Sequence, residues 1–60
     1  MKVLITKAFE NVPGEWFNPG EILELWTETA KRVIKEKCGV AVPEGIDEEV
    51  FKNSIIRKGK

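Results

Sequence analysis

Sixty residues allow one domain and leave room for only about 60 % of the unfolded surface to be buried, so stability rests on a small core. With 42 % hydrophobic and 33 % charged residues the chain is neither disordered nor membrane-like. Ten basic side chains balance ten acidic ones, which argues against strong binding to nucleic acid driven by phosphate charge.

Residues 2–9 read as a strand. Val3, Ile5 and Phe9 share one face at period two, and Leu4, Thr6 and Ala8 share the other. Apolar residues on both faces suit a central position. Val12-Pro13-Gly14 is a turn, with proline preset for its second position and glycine supplying a positive φ. Residues 15–17 return as a short strand.

The next stretch has two readings. Asn18, Pro19 and Glu21 match a helix N-cap, a first-turn proline and a capping-box acid, which would start one helix over 19–38. Alternatively Asn18-Pro19-Gly20 is a turn and residues 21–25 are a strand, followed by a helix over 27–38 capped by Thr27. Local signals slightly favour the first; the second is preferred, because core material is short elsewhere in the chain and the resemblance given below points the same way. Trp26, Ala30, Val33, Ile34 and Cys38 recur at helical spacing and form the apolar stripe, with Trp26 assigned to the core. Gly39 suits a left-handed C-terminal cap.

Residues 40–42 form a short strand that pairs with the first and stops at Pro43. Asp47 is the N-cap of a second helix over 48–56, with Ile46 and Phe51 placed for a hydrophobic staple; a strand over 50–56 is the rival. Residues 57–60 are expected to fray. The fold class is therefore α+β: a small antiparallel sheet on one main helix, with a short C-terminal helix.

The chemical inventory is thin. There is no histidine and no tyrosine, and Ser54 is the only serine. The usual general base and the commonest metal ligand are thus missing. The five glycines stand apart and read as turn and cap residues, with no phosphate-binding loop. No catalytic residue, cofactor or metal is assigned, and a non-enzymatic protein is expected. Cys38 cannot form an internal disulfide and is read as a core or half-buried residue on the helix stripe. A reducing compartment fits one unpaired thiol, and no segment reaches the ~20 apolar residues of a membrane helix, so a cytoplasmic location is expected.

Two groups of residues are candidates for binding. Trp16 and Phe17 are adjacent in a strand, so alternation sends one outward, where an aromatic can anchor a protein partner or a second copy. Lys52, Arg57, Lys58 and Lys60 make a basic tail, the basis of an alternative nucleic-acid reading; only Phe51 interleaves it as a stacking residue. Charge is also uneven along the chain. Residues 1–30 carry two lysines against five glutamates, and residues 31–60 carry eight basic side chains against five acidic.

The order of elements resembles small proteins of Mu-like and Bacillus prophages, built on a strand, hairpin, helix, strand module. The pattern is carried over residues 2–43 by Phe9, by Trp16 or Phe17, by Pro19-Gly20-Glu21, by the alternating segment 22–25, by Ala30-Lys31-Arg32-Val33-Ile34, and by Gly39-Val40-Ala41. The helix here is about two residues longer before the glycine, and Trp26 stands where a proline or serine is usual. The resemblance implies a small phage accessory or morphogenesis protein and transfers no catalytic residue.

Overall fold

In the computed structural model, which describes residues 1–56, the chain runs through β1 (Lys2–Ile5), β2 (Phe9–Val12), β3 (Glu15–Phe17), β4 (Ile22–Glu24), α1 (Thr27–Lys35), β5 (Gly39–Ala41) and α2 (Glu48–Ile55). The α+β class holds. β1 is the middle strand of an antiparallel sheet ordered β4-β1-β5. It reads apolar on both faces because both faces are covered. Val3, Leu4 and Ile5 are fully buried.

The register sorts the side chains. Val3 lies between Leu23 and Ala41, and Leu4 between Ile22 and Val40. Val3 and Ile5 join Phe17, Ala30 and Val33 in one cluster, so their face carries α1. Leu4, Ile22 and Val40 look the other way. Lys2 is on that second face, and its Nζ lies 2.6 Å from Glu48 Oε2, which brings the first turn of α2 there. α1 thus covers one face of the sheet, and the first turn of α2 stands at the other.

The expected strand over 2–9 is two strands, and the expected single sheet is two sheets. The amides of Thr6 and Lys7 both donate to Cys38 O, at 2.7 and 3.2 Å. Successive residues of a pleated strand cannot do this, since their N–H groups point to opposite sides. The chain therefore turns, and Phe9 begins a separate ribbon with β3. In that ribbon Phe9 opposes Phe17 and Glu10 opposes Trp16, with a register shift before Val12–Glu15. The Phe9 and Phe17 rings stack at 6.2 Å, and the Arg32 guanidinium lies 5.7 Å from the Phe9 centroid. The first contact ties the two strands of the ribbon together, and the second, from Arg32 on α1, fastens the ribbon to the helix.

Gly20 decides between the two readings of residues 18–25. Its φ is +90°, a value a right-handed helix does not use, and its N–H donates to Ile5 O at 2.8 Å. The chain turns there and enters β4, so the helix starting at residue 19 is ruled out. α1 begins without a side-chain cap: Trp26, not Thr27, is the N-cap residue. It ends at Lys35, earlier than the expected residue 38. The amide of Lys37 donates to Ile34 O and that of Cys38 to Val33 O, both at 2.9 Å, a Schellman closure. Its left-handed residue is Lys37 at φ 63°, and Gly39 is not the cap. A side chain in that region costs about 1 kcal/mol that glycine escapes. Lys37→Gly is therefore expected to raise stability by about 1 kcal/mol, measurable by urea unfolding.

α2 is helical, as the Asp47 signal predicts. Asp47 Oδ1 accepts from the amides of Glu49 and Val50 at 3.0 and 3.3 Å. Residues 57–60, where fraying is expected, lie outside the described residues.

Candidate interaction surface

The site is built from the outer edge of β4, which no strand covers among the described residues. Ile5 N donates to Glu21 O, and Leu25 N to Met1 O, both at 2.8 Å. With Leu23 opposite Val3, residues 21, 23 and 25 therefore turn their backbone groups towards β1, although the Glu21 N–H is taken by Asn18 O in the turn. Ile22 and Glu24 alternate with them, so their N–H and C=O groups point out of the sheet. They meet no hydrogen-bonding partner among the described residues.

Leu25 packs against the core, which sends the next side chain to the opposite side. Trp26 is accordingly 84 % exposed. This corrects its assignment to the core. Helical spacing applies only inside a helix, and Trp26 stands before it at φ −61°, ψ 150°, still extended. Its parity is that of Ile22 and Glu24. Ala30 and Val33 keep their predicted places in the stripe, fully buried, and Cys38 is half-buried against the same cluster.

Three hollows border this edge. One of about 410 Å³ is lined by Met1, Glu24, Leu25, Trp26 and Thr27. A second of about 590 Å³ runs from Met1 and Glu24 to Val42, Pro43 and Ile46. The third, about 210 Å³, lies at the other end of β4 between Gly20, Ile22, Glu48, Glu49 and Lys52. Charges on the rim are paired. The Met1 amino group lies 2.5 Å from Glu24 Oε2, and this hydrogen bond and its charge hold the Glu24 carboxyl below its ordinary value. The Glu48 carboxylate, through its hydrogen bond and then its charge, raises Lys2 above its own.

The residues singled out from sequence are separated. Trp16 is 55 % exposed on the outer face of the ribbon, across from Glu10. Phe17 is 7 % exposed and turns inward onto Phe9, so its ring offers no surface to a partner. Lys52 is half-buried and 3.7 Å from Glu49. Arg57, Lys58 and Lys60 lie outside the described residues. Sequence reasoning missed Trp26 and the hollow at Gly20. The signal for the first was present: counted from Ile22, Trp26 is on the outward parity of a strand. Among the described residues no group of three His, Cys, Asp or Glu side chains gathers where a metal could bind, and no helix is long and apolar enough to cross a membrane.

Comparison with protein-family models, with curated proteins and with solved structures finds no significant match for this chain.

Proposed function

We propose that this protein is a non-enzymatic interaction module that holds a protein partner through exposed tryptophan, and that it serves as a small prophage accessory or morphogenesis protein. One observation carries the first part: Trp26 is 84 % exposed, while the wholly enclosed core of the described residues is only Val3, Leu4, Ile5, Ala30 and Val33. A large aromatic left outside a scarce core has its value at an interface, where tryptophan is among the commonest anchors. Trp16 is a second exposed aromatic, on the ribbon. The prophage role rests on the resemblance over residues 2–43, and capsid or tail genes beside its own gene would be the expected neighbourhood. The nucleic-acid reading has only Lys52 among the described residues, and Glu49 already partners it.

The test is site-specific photocrosslinking in the producing cell. A crosslinker at position 26 is expected to give one or two discrete adducts that a crosslinker at exposed Lys31, on α1, does not. The same diffuse pattern from both positions would overturn the reading.

A further inference from the structure

We infer that the outer edge of β4 is the seat of a second copy of this chain: two β4 strands pair antiparallel across a two-fold axis, and each Trp26 enters the Gly20 hollow of the other copy. This deepens the interaction reading and rests on it.

The backbone sets the register. A strand pairing with its own copy about a two-fold axis must run antiparallel, and residues with outward N–H and C=O groups must face one another. In β4 these are Ile22 and Glu24. Centring the axis on Leu23 sets Ile22 against Glu24 of the other copy, twice, and satisfies all the outward groups. Centring on Glu24 sets two carboxylates directly opposite, which is unfavourable. Centring on Ile22 sets Glu24 against Gly20, whose φ of +90° is not extended, and half the bonds are lost. Leu23 is therefore the centre, and the three-stranded sheets join into one continuous sheet.

The same register carries Trp26 to Gly20 of the other copy. Trp26 has the parity of Ile22, the face on which α2 lies. The hollow at Gly20 is on that face, bounded by Ile22, Glu48, Glu49 and Lys52. Nothing lies within 4 Å of where a Gly20 Cβ would stand. An indole laid there meets the Ile22 side chain, takes the Lys52 ammonium at its face, and has glutamate oxygens to receive its N–H. Knob and hollow thus belong to the same surface, as an isologous interface requires. Glu24 does not oppose the approach, since the Met1 amino group already partners its carboxylate.

The opposite edge of the sheet is not equivalent. On β5 the outward residues are Gly39, which is buried, and Ala41, and Pro43 follows two residues on. Such an edge has little to offer a partner. A standard interface takes about 800 Å² from each partner. That is a large share of the 4319 Å² surface of this chain. A short edge plus one tryptophan lies at the small end of the range, so the dimer forms at high concentration.

Sedimentation equilibrium on the full chain from about 10 µM to about 1 mM tests the pairing. The average mass is expected to climb from 6.8 kDa towards twice that value. Trp26→Ala is expected to weaken association at least about tenfold while the circular dichroism stays unchanged, because the residue is exposed. Glu24→Pro, which removes an outward N–H that the monomer does not use, is expected to do the same, and Lys31→Ala, on the exposed side of α1, to leave association intact. A chain that stays at 6.8 kDa throughout overturns the inference. So does a dimer that Trp26→Ala and Glu24→Pro both leave unchanged. A monomer that still yields a discrete foreign adduct from position 26 sinks the pairing and leaves the interaction reading standing.

Discussion

Replacing Leu4 by alanine is expected to lower the melting temperature by about 10–30 °C, and to leave a measurable unfolded fraction at 37 °C. Leu4 is fully buried in the middle strand, on the face shared by Ile22 and Val40. Leucine-to-alanine changes in enclosed sites cost about 2–5 kcal/mol, through lost transfer energy and the cavity left behind. A domain of this size has a total stability of roughly 3–9 kcal/mol. The cavity cannot close by moving a neighbouring strand, because β1 is hydrogen-bonded on both sides. Thermal unfolding followed by circular dichroism measures the effect. A loss under about 1 kcal/mol would mean that α2 does not cover this face.

Gly39→Ala is the second large effect, and for a reason unlike that expected of a helix cap. A Cβ at Gly39 would stand 2.7 Å from Val33 Cγ1, 2.8 Å from Val3 Cγ1 and 3.0 Å from Leu4 O. Two of these atoms belong to β-branched side chains with little rotamer freedom, and the third is backbone. Overpacking of this kind costs about 1–3 kcal/mol. Trimming the helix side of the clash should recover part of it. Gly39→Ala and Val33→Ala together are expected to cost at least about 0.5 kcal/mol less than the sum of the two alone, read by urea unfolding of all four chains. Strict additivity would contradict the close approach of α1 to β5.

These two sites mark the limits of what the residues declare. Apolar residues on both faces of residues 3–5 are a local signal, and they announce a central strand. Pro13-Gly14 and Asp47 are equally local: a turn and a cap act within four residues. The break at residues 6–8 is different. It follows from one carbonyl, Cys38 O, some thirty positions away in the chain, which claims two successive amides. Gly39 displays the same difficulty. A glycine after a helix can serve φ or space, and only the packing of Val3 and Val33 shows that space is the need here. Lys37 carries no sign of taking the left-handed position in its stead.

The surface was partly legible. Alternation across Trp16 and Phe17 foretells that one ring turns outward, and the pairing of Phe9 with Phe17 selects Trp16. Trp26 was hidden by a coincidence of spacing. Four residues before Ala30 it fits the helix stripe, while four after Ile22 it fits the outer row of a strand. The two periods disagree on which side it faces, and the position of the helix start decides.

The most direct measurement is the fluorescence of Trp16→Phe, in which Trp26 is the sole tryptophan, followed from dilute to concentrated solution. We predict a red-shifted, readily quenched emission when dilute, as for an indole in water, that moves to the blue and resists quenching as copies associate. Blue, protected emission already present at the lowest concentration would place Trp26 inside its own chain and contradict its role as the anchor.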